Sequence, residues 1–148
     1  MKKILIFVLM RYLILVFLSA CNFMDEPHYE VNPELKPYVD SFFADAKKNG
    51  LTISPPNLIV RLEQIGDICG VSKGYELPIV SIDVDFFEGC KMENREDYII
   101  LAVYHELGHA LLGLEHTKKL GIMGENMPFD EFGANKESMI KNMFLFGI

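Results

Sequence analysis

The stretch HELGHALLGLEH, residues 105–116, decides how the rest of the chain is interpreted. In an α-helix, residues four apart lie on one face and one turn along the axis, so His105 and His109 can direct ring nitrogens at one metal ion. Glu106 then lies beside the ion, where a carboxylate can accept a proton from water. The alternative is a pair of solvated histidines on a helix face. The surrounding residues are mostly apolar, and burying polar groups without partners is costly, which favours the metal site.

A third ligand requires the helix to end. Catalytic zinc takes three protein ligands and keeps one position open. On a continuous helix His116 would lie about 10 Å beyond His109 along the axis, too far to share an ion. Gly113 is the residue at which we expect the chain to turn back, because glycine readily adopts the left-handed conformation that ends helices. His116 is therefore the expected third ligand, with Glu115 as an alternative because zinc also accepts carboxylate oxygen.

This stretch, followed by GIMGEN (121–126), resembles the metzincins, zinc peptidases with an HExxHxxGxxH motif and a downstream methionine turn. Here the glycine and the last histidine come one residue later, a spacing similar to that of small bacterial lipoproteins of metalloprotease type. The resemblance implies a zinc endopeptidase with Glu106 as general base and Met123 in the turn beneath the metal. The zinc ligands that it implies are His105, His109 and His116.

The resemblance also implies a fold. We expect an α+β, zincin-like single domain, in which a twisted sheet packs on the active-site helix and a C-terminal helix closes the domain. The strand before the active-site helix, IVSIDVDFF (79–87), would be the edge strand that aligns an extended substrate. The segment GENMPFDEF (124–132) would form the wall that sets cleavage preference.

Hydrophobic periodicity predicts the remaining elements. Asn32 and Pro33 are good residues for a helix start, and Gly50 for its end. The segment 66–76 contains three glycines and is expected to be a loop or a short hairpin. We predict strands over 57–66 and 77–87 and helices over 33–48, 94–113 and 134–146.

The N-terminus has the anatomy of an export signal. Residues 1–20 join a basic start to an apolar run and end in small residues. The ending LSAC resembles the bacterial lipoprotein box, which implies lipid on Cys21. An uncleaved transmembrane anchor is the alternative, but Arg11 interrupts the apolar run. Translation from Met10 would also give a short, complete lipoprotein signal.

The expected organisation is a signal peptide (1–20), a lipidated tether (21–32) and a zinc metalloprotease domain (33–148). Cleavage would remove three basic residues and no acidic one, changing the net charge from −7 to −10. A chain with this much negative charge is expected to bind nucleic acid poorly, because such binding depends on basic patches. We expect a monomeric bacterial lipoprotein of the outer membrane or cell surface that acts on proteins or peptides.

The remaining cysteines, Cys69 and Cys90, form an even pair in a chain expected to be exported. Such pairs are often oxidised outside the cytosol. The sequence therefore allows a disulfide between them, with two buried free thiols as the alternative.

Three other functional interpretations remain. Some zinc hydrolases add a glutamate from a later helix to HExxH, and Glu131 or Glu137 could supply it. Peptide deformylases pair an EGC cysteine with HExxH, as FEGC (87–90) would do here. A lipid-anchored binding protein with a structural zinc is the non-enzyme alternative, although Glu106 would have no purpose in it.

Overall fold

The computed structural model describes residues 27–55 and 57–147, which form an α+β domain with a four-stranded mixed sheet and four helices. The expected signal segment and Cys21 lie outside the described residues. The strands are β1 (Tyr29–Val31), β2 (Leu58–Glu63), β3 (Gly70–Lys73) and β4 (Ile79–Asp83). The helices are α1 (Lys36–Lys48), α2 (Val84–Met92), α3 (Glu96–Leu112) and α4 (Phe129–Phe146). None of the helices in this part of the chain is both long and apolar enough to cross a membrane.

The sheet has the strand order β1-β2-β4-β3. Strands β1, β2 and β4 are parallel, while β3 runs antiparallel to β4 at one edge of the sheet. The prediction that the strand preceding the active-site helix is an edge strand is therefore wrong, because β4 pairs with a neighbour on each side. The edge beside α3 is β3, which lies in the glycine-rich segment expected to be a loop or a hairpin.

The predicted strand over 77–87 is too long at its C-terminal end. Its alternation of apolar residues runs past Asp83, but the chain becomes helical at Val84. The Asp83 carboxylate accepts hydrogen bonds from the backbone N–H groups of Phe86, at 2.9 Å, and Ile65, at 3.0 Å. An aspartate at the N-cap position accepts hydrogen bonds from backbone N–H groups that would otherwise be free at the start of a helix. This capping favours a helix from Val84 over continuation of the strand.

The N-terminal boundary is also different from the prediction. Strand β1 lies within the expected tether, and the Leu58 N–H donates to the carbonyl of His28 at 2.9 Å. The folded domain therefore begins before residue 33. Helix α1 begins at Lys36 rather than Pro33, because Asn32 instead caps the preceding turn, accepting from the Glu34 N–H at 2.9 Å. Helix α4 begins at Phe129, five residues before the predicted start at Ala134.

Helix α3 passes through the middle of the core. Ile99 and residues 101–108 are all buried. The Tyr104 ring packs edge-on against Phe42 of α1, with ring centroids 5.3 Å apart, and its hydroxyl donates to Asp45 at 2.7 Å. A helix held by packing on several sides gives its functional side chains fixed positions.

The two cysteines are free thiols in the structure, Cys69 half-buried and Cys90 buried. This is the second of the two states that the sequence left open, and no disulfide joins them. Burial raises the pKa of both thiols.

Candidate metal centre

The C-terminal end of α3 brings the three histidines together. The helix ends at Leu112, and Gly113 follows in the left-handed conformation with φ 63° and ψ 26°. The Leu114 N–H then donates back to the Gly108 carbonyl at 3.1 Å, which completes the helix end. The predicted break at Gly113 is confirmed, and the reversed chain brings His116 beside the two helical histidines.

The Nε2 atoms of the three histidines face one point. His105 Nε2 lies 3.1 Å from His109 Nε2 and 3.0 Å from His116 Nε2. Three nitrogens bound to one tetrahedral zinc at 2.0–2.1 Å would be about 3.3 Å apart. Within the described residues, this is the only group of three or more potential ligands close enough to hold an ion.

Backbone carbonyls fix the tautomers of two of these rings. His105 Nδ1 lies 2.7 Å from the Ile122 carbonyl oxygen, and His109 Nδ1 contacts the Leu114 carbonyl oxygen. Because a carbonyl only accepts, each Nδ1 carries the proton and each Nε2 presents a lone pair. Burial lowers the pKa of His105 to about 4, so this ring is neutral at pH 7, as metal binding requires.

The turn that contains Met123 packs against α3 beside the histidines. Met123 is fully buried, and both its Sδ and the Met143 Cε would lie 2.7 Å from a Cβ placed at Gly108, so these two methionine side chains pack directly against the helix there. The neighbouring Ile122 carbonyl orients His105. The Thr117 N–H donates to the Met123 carbonyl at 2.7 Å, which ties the segment after His116 to the same turn.

Glu106 lies in the floor of an open cleft beside the histidines. The cleft has a volume of about 460 Å³ and is lined by residues 70–75, by the C-terminal part of α3 and by residues 113–116. Glu106 is only 6 % exposed, and burial raises the pKa of its carboxyl to about 7, while a hydrogen bond with the Ser72 side chain acts in the opposite direction.

The alternative ligands do not join the histidines. Glu115 lines the cleft but lies outside the three-histidine group. Glu131 and Glu137 are exposed on α4 and line no part of this cleft, and Cys90 is buried in the core. The segment 124–132, expected to form the specificity wall, is likewise absent from the lining.

Sequence reasoning did not find Gly70 and Ser72, which face Glu106 from β3. The four residues GVSK have no sustained alternation and are followed by Gly74, so the sequence left a loop and a short hairpin open and indicated no functional role for them. No family model, curated protein or solved structure matches this chain.

Proposed function

We propose that this protein is a zinc-dependent endopeptidase. The observation that carries the proposal is the convergence of three histidine Nε2 atoms next to a buried glutamate, on the floor of a cleft bordered by an edge strand. Three imidazoles are a donor set that suits zinc, and three protein ligands leave a coordination position open.

His105, His109 and His116 would hold the ion. When bound, zinc lowers the pKa of a coordinated water and polarises the scissile carbonyl. Glu106 accepts the proton of the attacking water and transfers it to the leaving amine. Its low exposure keeps bulk water from competing for that proton, and its position one residue after His105 keeps the carboxylate near the reacting atoms.

Strand β3 is the element that would align the substrate. An edge strand presents free N–H and C=O groups, to which an extended peptide can add as a further strand. Residues 70–75 line the same cleft as the three histidines. A peptide paired along this edge would therefore cross the metal site. This assignment replaces the interior strand β4, which has no free edge.

We further propose that the enzyme is exported and held at a bacterial membrane through lipid on Cys21. The support is the sequence of residues 1–21, with its basic start, apolar run and LSAC ending. Metabolic labelling with a fatty acid tests this assignment. Label should enter the wild type and not Cys21→Ser, and equal labelling of both would contradict it.

Digestion of a peptide library tests the reaction. We expect the zinc-loaded wild type to cleave peptides, and Glu106→Ala to retain one zinc per chain while losing cleavage by at least about 100-fold. Glu115→Ala, which removes an exposed glutamate from the same cleft, is the matched control and should cleave normally. Equal cleavage by wild type and Glu106→Ala would refute the mechanism. Zinc binding without cleavage by any variant would favour the alternative, a binding protein with a structural zinc.

A further inference from the structure

Edge strand β3 presents two small residues to Glu106. In the antiparallel register Gly70 pairs with Ile82 and Ser72 pairs with Val80. Ile82 and Val80 are both fully buried, and a Cβ at Gly70 would meet both Ile82 and Glu106 of α3. Residues two apart in a strand point to the same face, so Gly70 and Ser72 lie on the side of the sheet that α3 covers.

Gly70 lies directly against the Glu106 side chain. A Cβ at this position would lie 2.9 Å from Glu106 Cγ, 3.3 Å from its Oε1 and 3.1 Å from Ile82 Cδ1. Gly70 is not among the glycines with positive φ, so its backbone conformation does not require glycine. Space for the glutamate side chain is what requires it.

Ser72 supplies a polar contact beside that space. Ser72 lies two residues from Gly70 on the same face of β3, lines the same cleft as Glu106 and the three histidines, and its side chain acts to lower the pKa of the Glu106 carboxyl. A glutamate has three rotatable side-chain bonds, so a contact at Cγ and another at the carboxyl group together restrict its rotamers.

We propose that Gly70 and Ser72 are positioning residues for Glu106. The glycine sets the path of the side chain, and the hydroxyl holds the carboxylate directed into the cleft. This inference rests on the proposed function for its catalytic consequence, but the contact itself can be measured without catalysis.

Steady-state kinetics test the consequence. Gly70→Ala should keep one zinc per chain and lower kcat by at least about 10-fold, with KM changed by less than about twofold, because small misplacements of a reacting group are costly. Ser72→Ala should lower kcat by several fold, and Ser72→Thr, which restores the hydroxyl, should recover most of it. Gly89→Ala is the control, since a Cβ there meets nothing within 4 Å. Unchanged kcat in Gly70→Ala would overturn the proposal.

A loss of kcat in Gly70→Ala could arise from Ile82 rather than from Glu106, because the added Cβ also contacts Ile82 Cδ1. The variant Ile82→Val removes the Cδ1 atom concerned. If Glu106 is responsible, the kcat of Gly70→Ala/Ile82→Val stays as low as that of Gly70→Ala. Recovery of kcat in the double variant would assign the effect to Ile82 and overturn the proposal.

Thermal unfolding tests the contact independently of any activity. Gly70→Ala should lower Tm more in the wild-type background than in the Glu106→Ala background, which lacks Cγ and leaves only the contact with Ile82. Equal effects in the two backgrounds would mean that the added Cβ does not meet Glu106, and the proposal would fail. A wild type that cleaves no peptide would refute the proposed function, whereas this comparison would still decide whether Gly70 and Glu106 are coupled.

Discussion

Replacing Glu106 with glutamine should stabilise the metal-free protein at neutral pH, and the gain should disappear in acid. Burial raises the pKa of Glu106 from 4.5 to about 7 in the folded state. A raised folded-state pKa means that the folded chain binds the proton more tightly than the unfolded chain. The stability associated with that proton is fully present below pH 4.5 and is lost as the pH rises through 7.

The size of the effect follows from the same two pKa values. Each unit between the folded and unfolded pKa corresponds to about 1.4 kcal/mol, so ionising Glu106 costs the folded state about 3 kcal/mol above pH 7. Glutamine has nearly the same shape and does not ionise. Glu106→Gln should therefore exceed the wild type in free energy of unfolding by about 3 kcal/mol at pH 8, and by little at pH 4.

Urea unfolding of chelator-treated protein, repeated from pH 4 to pH 8, measures this difference. Glu115→Gln is the matched control, because its exposed side chain keeps its hydration on folding. A stability difference between Glu106→Gln and wild type that stays constant across this pH range would refute the reasoning. It would mean that Glu106 is solvated in the folded state.

Three further variants test the structure around the site. His116→Ala should weaken zinc binding by more than about 100-fold in a competitive chelator titration. Loss of a residue that only hydrogen-bonds to a metal ligand already lowers metal affinity by about 10- to 100-fold, and His116 is proposed as a ligand itself. Glu115→Ala should bind zinc normally. Gly113→Ala should cost about 1–2 kcal/mol in urea unfolding, because a Cβ there meets no neighbour but the left-handed conformation is unfavourable for alanine; an unchanged stability would contradict this. Tyr104→Phe should cost about 1 kcal/mol by removing the hydrogen bond to Asp45, and no loss would show that the bond contributes nothing.

The sequence predicted the parts of the site that local rules determine. The spacing of His105 and His109 follows from helix geometry, and the end of α3 follows from the freedom of Gly113. Because the chain reverses at Gly113, His116 lies beside the other two histidines in the structure.

The parts that were predicted wrongly depend on contacts between distant residues. Val84 and Phe86 continue an alternating pattern, but the Asp83 side chain caps a helix and also binds the Ile65 N–H, 18 residues away. For GVSK (70–73) the sequence left a loop and a short hairpin open, and the segment becomes an edge strand because β4 offers it an antiparallel partner. Its small residues are explained by Glu106, which follows more than 30 residues later in the chain.

The most direct test of the central claim is X-ray absorption at the zinc edge of the zinc-loaded full chain, together with its metal content. The three-histidine site predicts one zinc per chain with three imidazole nitrogens and one oxygen at about 2.0–2.1 Å. His116→Ala should then lose one imidazole from the spectrum. A sulfur ligand, or an unchanged imidazole count in His116→Ala, would contradict the account.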